Sequence, residues 1–211
     1  GVDEGCRGRV DALRRARAMP YVVTLHDLQF VNPRAFESPG MPEPDAGWIA
    51  AVGPILERAA TVVAPSAFIL DVALACAPGI CAAIIPPGIR IAQVSEVPET
   101  PPDFAQGAPR HAIAIVGAIG PHKGSGVLDR LAEALAGSEI AIVVIGYLDT
   151  QLTQGWLVPG SVYVHGPYRD NALAGWLAAY HIETVLFPNR LPESFSYTLS
   201  EVWAAGLPVV V

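Results

Sequence analysis

Cysteine is scarce in this chain, which has only Cys6, Cys76 and Cys81 in 211 residues. The Cys76-x4-Cys81 spacing fits neither a zinc site nor a redox pair, so the thiols read as free or buried groups of a reducing compartment. Positive charge is also short. Thirteen Lys and Arg against twenty Asp and Glu leave a formal net charge of −7, which argues against broad nucleic-acid binding and requires local cations for any anionic ligand. No apolar run approaches the ~20 residues that cross a bilayer, and no signal-peptide pattern is found. The expected location is the cytoplasm, with peripheral contact at the inner face of a membrane left open.

Three motifs are missing as well. A P-loop places Gly-Lys-Ser/Thr after a four-residue spacer, whereas the order here is Lys123-Gly124-Ser125. A dinucleotide fingerprint needs an acid about twenty residues on, but the strand that follows ends Ile145-Gly146-Tyr147, which argues against nicotinamide chemistry. No Asp-x-Asp segment occurs, so neither a metal nor another cofactor is implied.

What is present is a core-forming composition, 52% hydrophobic and 16% charged, enough for one or two domains. Arg7 to Ala18 reads as a helix and Tyr21 to Leu25 as a buried strand. A Pro- and Gly-bearing loop follows over Phe30 to Gly47, then a helix from Trp48 to Ala60 and a strand from Thr61 to Ala64. Ser66 caps a helix running to about Ala75, and Cys81 to Ile85 is a short strand stopped by Pro86-Pro87-Gly88. Ile91 to Pro109 lacks periodicity and reads as a linker. Beyond it, strands near Ala112 to Val116, Ile140 to Ile145, Ser161 to His165 and Thr184 to Phe187 alternate with helices at Gly126 to Ala136 and Asn171 to Tyr180. That alternation predicts an α/β fold of two doubly wound units, the first incomplete: residues 1–90, a linker over 91–109, and residues 110–211. The start at Gly1 without Met, and the stop at Val211 in an apolar run that reads as a buried strand, are those expected of a fragment.

The densest chemistry lies in Pro192-Glu193-Ser194-Phe195-Ser196-Tyr197-Thr198-Leu199-Ser200-Glu201. It follows the strand Thr184 to Phe187 and precedes a helix that Gly206 ends, so it falls at the carboxyl end of a parallel strand, where such sheets bind ligands. Two acids there, one in the loop and one about two turns along the helix, can hold two different sugar rings. Two plainer readings stand beside this one: Thr198-x-x-Glu201 fits a capping box, and Glu193 fits a solvated loop charge. At the first strand end of the second unit, Gly117-Ala118-Ile119-Gly120-Pro121-His122-Lys123-Gly124 puts a lysine beside a helix N-terminus, where an anion would offset the unfavourable dipole. A surface lysine beside a tight turn is the alternative. His26, in Thr24-Leu25-His26-Asp27, closes a strand and taken alone reads as a structural histidine, as do His111, His165 and His181.

Together these segments resemble family 4 glycosyltransferases of GT-B fold over about residues 20 to 211. The family's G-R-L-x-x-x-K-G appears at 117–124, with Ala118 in the place of the arginine. That leaves compensating charge to His122, Arg169 or Arg190. The family's E-G-F-G-x-x-x-x-E appears at 193–201, with Ser194 and Ser196 in the places of two glycines. The resemblance implies retaining transfer of a sugar from a nucleotide diphosphate sugar to a glycan or lipid-linked acceptor, such as that of bacterial surface polysaccharide biosynthesis. It assigns His26 and Glu193 to the donor sugar at the catalytic centre, Glu201 to the ribose, and Lys123 to the diphosphate together with amides near Gly120 to Gly124. Phe187-Pro188 flanks the base, and Ser194, Phe195, Ser196 and Tyr197 complete the donor loop. A GT-B sugar-nucleotide epimerase or phosphorylase, and a non-catalytic nucleotide-sugar-binding fragment, are the alternatives.

Overall fold

The computed structural model describes residues 20–37, 40–88, 97–107, 110–149, 153–169 and 171–211. The helix expected over Arg7 to Ala18, Cys6 and much of the expected linker lie outside them. Contacts divide the chain into two units. One holds the residues up to Gly88 with Leu191–Phe195, and the other holds Ile89–Arg190 with Ser196–Val211.

In the first unit, β1 (Val22–Thr24), α1 (Ala46–Glu57), β2 (Thr61–Ala64), α2 (Ala67–Cys76) and β3 (Ala82–Ile84) form a three-stranded parallel sheet in the order β1-β2-β3. Asp45 starts α1 by accepting the Trp48 amide at 2.9 Å, and Ser66 starts α2 by accepting the Ile69 amide at 3.4 Å. These caps satisfy donors that a helix leaves without partners. Val62 and Ala64, both fully buried, place the middle strand against Leu56, Ile69 and Ala73.

The second unit contains α3 (Pro102–Gly107), β4 (His111–Ile119), a 3-10 turn at Pro121–Lys123, α4 (Ser125–Ala134), β5 (Ile140–Leu148), β6 (Gly155–Val158), β7 (Val162–Gly166), α5 (Leu173–Ala179), β8 (Ile182–Leu186), α6 (Tyr197–Ala204) and β9 (Val209–Val210). The sheet order is β6-β7-β5-β4-β8-β9, with every pair parallel except β6 with β7. Period-2 alternation sends Ala114, Val116, Val143 and Ile145 to one face under α5 and α6, and Ile115, Ile142 and Val144 to the other under α4. Both faces are covered, which is why these strands read as unbroken apolar runs. This is the α/β class that the alternation predicts.

Three differences from the sequence reading have physical causes. Within the stretch read as a linker, Pro102–Gly107 is helical, because proline is tolerated at a helix start and Phe104 is buried against Tyr163 and Tyr180, with ring centroids 5.1 and 4.8 Å away. Strand β6 has no counterpart in the expected elements; it is held by antiparallel pairing to β7 and by Trp156, which stacks on Phe104. The terminal apolar run forms β9, but as an edge strand rather than a buried one. Val210 is 52% exposed, since among the described residues the strand pairs with β8 alone.

Around Phe104 the buried polar groups are all partnered. Tyr163 donates to the Asp103 carboxylate at 2.9 Å and accepts from Gln154 at 2.9 Å, and the Tyr180 hydroxyl lies 2.9 Å from His165 Nδ1. Burial raises the Tyr163 phenol to about 12, raises that of Tyr180 further, and lowers His165. The imidazole is therefore held neutral. His165 is a satisfied core histidine.

Candidate functional site

In the sheet of the second unit the chain steps from β4 to β5 and β7 on one side, then returns to place β8 on the other side of β4. The order reverses between β4 and β8, which is where open α/β sheets bind ligands beyond their carboxyl ends. The loops after these two strands carry the 120–124 and 187–188 segments. They touch. Gly124 has φ +84, and a Cβ there would stand 2.1 Å from the Pro188 carbonyl oxygen, so only glycine allows this approach. Gly146 is constrained in the same way on the neighbouring strand, where a Cβ would stand 2.0 Å from the Gly117 carbonyl oxygen.

The 120–124 loop is closed by its own backbone. The Lys123 and Ser125 amides donate to the Gly120 carbonyl at 3.0 and 3.1 Å, and the Gly124 amide donates to Pro121 at 3.3 Å. The expectation that amides over Gly120 to Gly124 await an anion is thus corrected for Lys123 and Gly124, whose N–H groups are engaged in the turn. Positive charge at this loop comes from the Lys123 side chain, which is half-buried just ahead of α4. Only the backbone of His122, in the 3-10 turn, is described. Arg169 and Arg190 are both exposed.

Helix α6 removes the capping-box reading of Glu201. Its N-cap is Ser196, in extended backbone, whose hydroxyl accepts the Leu199 amide at 3.3 Å. Thr198 lies inside the helix, so the Thr198-x-x-Glu201 capping box does not form and Glu201 sits half-buried in the helix body. At the other end Gly206, with φ +77, donates to Trp203, and Leu207 donates to Val202. That is a Schellman ending, the role expected of this glycine. Phe187 is buried, its amide bonded to the Val210 carbonyl at 2.8 Å, and Tyr197 is exposed.

Glu193, Ser194 and Phe195 group by contact with the first unit. There His26 is exposed at the end of β1, after Leu25, whose amide still bonds the Val63 carbonyl at 2.9 Å. The Ser194 hydroxyl donates to the His26 backbone carbonyl. Asp27 turns the chain by accepting the Gln29 amide at 2.7 Å, and Trp48 Nε1 secures the Gln29 carbonyl at 2.7 Å. Glu193 is half-buried. The sequence had no signal for the Ser194 bond, because its partner is remote in the chain.

No family model matches the chain, and no curated protein matches its sequence. Solved structures do match. HepE from Anabaena, in complex with UDP and glucose, aligns with a TM-score of 0.64 at 19% identity over 96% of this chain and 57% of that one. Sucrose-phosphate synthase from Thermosynechococcus elongatus aligns at 0.61 and 18% identity over 94% and 51%. A UDP-forming α,α-trehalose-phosphate synthase from Burkholderia vietnamiensis aligns at 0.54 and 12% over 93% and 53%. The fold is of the GT-B class. The likeness is one of fold, and the chain spans little more than half of each of these proteins. No described helix is long and apolar enough to cross a membrane.

Proposed function

We propose that this chain carries the donor site of a retaining glycosyltransferase of the family 4 type, which moves a sugar from a nucleotide diphosphate sugar to a glycan or lipid-linked acceptor. The observation that supports it most is the contact of Gly124 with Pro188 at the point where the strand order reverses. That contact joins the lysine loop to the segment matching the base-flanking element, and the neighbours in fold include one in complex with UDP and glucose. In this reading Lys123 offsets charge developing on the leaving diphosphate, Glu201 accepts from the ribose hydroxyls, and Glu193 accepts from hydroxyls of the donor sugar. Gly120, His122 and Gly124 shape the diphosphate loop, Ser196 and Tyr197 border the donor, and His26 meets its sugar. The bond from the anomeric carbon to phosphate breaks, a bond to the acceptor oxygen forms on the same face, and the acceptor proton passes to the departing diphosphate. The setting proposed is cytoplasmic synthesis of surface polysaccharide.

Calorimetric titration tests the donor assignment. Lys123→Ala is expected to weaken UDP or GDP by about tenfold or more, as for loss of one charge-assisted contact, and to leave uridine or guanosine nearly unchanged. Glu201→Gln is expected to weaken nucleoside and nucleotide alike, whereas Glu193→Gln spares the nucleoside diphosphate and weakens the whole sugar nucleotide. Equal losses for nucleoside and nucleotide in Lys123→Ala would place the lysine away from the phosphates and overturn the assignment.

A further inference from the structure

The family pattern that this chain resembles has glycine in the place of Ser194, and glycine has no hydroxyl. Here the hydroxyl is present and donates to the backbone carbonyl of His26. The two residues are 168 positions apart and belong to one compact unit. The bond falls on a turn that other bonds also hold, with the Asp27 carboxylate bound to the Gln29 amide, the Gln29 carbonyl bound to the Trp48 indole, and the Leu25 amide still bound to the Val63 carbonyl. None of these local bonds engages the peptide between His26 and Asp27. Because that peptide is planar and trans, holding its carbonyl also sets the Asp27 N–H on the opposite side.

We propose that Ser194 is a positioning residue, which acts through the His26–Asp27 peptide rather than by touching the donor. The inference deepens the donor-site reading above and rests on it for the role of His26. A glycine at position 194 would offer the His26 carbonyl no hydroxyl donor, whereas Ser194 supplies one here. Removing the hydroxyl frees the peptide plane, and the histidine then samples orientations unsuited to the sugar. Misplacement of a reacting partner by ~1 Å can cost about a hundredfold in rate, while one net hydrogen bond is worth roughly a fivefold to tenfold change.

The experiment compares parent, Ser194→Ala and Ser194→Thr by two readouts. The first is the backbone amide spectrum of His26 and Asp27 in 15N-labelled protein, which needs neither donor nor activity. Ser194→Ala is expected to displace both resonances, with Ser194→Thr returning them toward the parent. The second is sugar release or transfer from the sugar nucleotide that the parent binds. There Ser194→Ala lowers kcat by roughly fivefold to tenfold with an unchanged donor KM, and Ser194→Thr restores it. Unmoved amide resonances in Ser194→Ala overturn the proposal. A raised donor KM at unchanged kcat overturns it too, by making Ser194 a donor contact, and so does a lowered melting temperature with unchanged kcat. Should Ser194→Ala fail to fold, Ser194→Gly replaces it with the same expectations. If the parent binds no nucleotide, the donor-site reading fails, and the amide displacement still decides whether Ser194 holds this turn.

Discussion

Strand β5 runs nine residues with seven of them buried, whereas β1 runs three with none buried. The contrast extends to the sheets they belong to. The larger sheet has helices on both faces and two separate apolar clusters, while the smaller has one described cluster and ends in edge strands whose Val22 and Ile84 are exposed. A strand closed on both faces loses stability with almost any truncation, because each side chain fills space that neighbours cannot recover. An edge residue facing water has little to lose. Residue chemistry in the larger unit is thus dictated mainly by packing, and in the smaller one mainly by its turns and caps.

Truncation puts this contrast to its hardest test. Phe104→Ala, which removes a ring 4% exposed and packed on Trp156, Tyr163 and Tyr180, is expected to cost about 3–5 kcal/mol. Val22→Ala, at a side chain 60% exposed, is expected to stay within about 0.5 kcal/mol. Denaturant titration of the two variants measures the gap, and similar midpoints would erase the distinction between the packed core of the larger unit and the exposed edge of the smaller one.

A second comparison lies within the larger unit, between a glycine of the 120–124 loop and one in the first turn of α4. Gly124→Ala meets both a positive φ and the Pro188 carbonyl, so the loops must separate. We expect UDP affinity to fall about tenfold, in line with the ~1–2 kcal/mol cost of a left-handed non-glycine residue and the displaced loop. Gly126→Ala has open space and an ordinary backbone, and is expected to leave UDP affinity unchanged with a stability gain of about 0.4–1 kcal/mol. Equal UDP affinities would show that the Gly124–Pro188 contact is irrelevant to the nucleotide.

The smallest effect is electrostatic. Burial depresses the His165 imidazole below its ordinary 6.5, so the unfolded chain binds a proton that the folded one refuses. Stability is therefore fully present above about pH 6.5 and is lost as pH falls from there toward the folded-state value. From about pH 7 to about pH 6 the loss is at most about 0.7 kcal/mol for this one group. His165→Gln should flatten that segment of the stability–pH curve, and a curve parallel to the parent's would assign the pH dependence to other groups.

Much of the fold was legible because period-2 and helical patterns do not depend on distant partners. The range expected for β2, Thr61 to Ala64, is the range observed, since buried β-branched residues between polar turns have few other readings. The illegible elements are those whose stability comes from elsewhere. Six-residue α3 is too short to stand alone and is held by Phe104, and β6 begins at Gly155 and depends on pairing with β7. At the candidate site, Ser196 and Thr198 are both plausible caps by residue type, and the extended backbone at Ser196 decides between them.

What the amino-acid sequence determined by itself is local or compositional: the α/β alternation, the caps at Ser66 and Gly206, the shortage of cations, and the eight-residue spacing of Glu193 and Glu201 along the chain. Tertiary structure alone decided that Gly124 must be glycine, because its neighbour is the Pro188 carbonyl, and that the Ser194 hydroxyl serves His26. The reason is physical. Periodicity and capping act within a few residues along the chain, whereas a steric limit or a hydrogen bond between remote segments exists only once both have been brought to the same place.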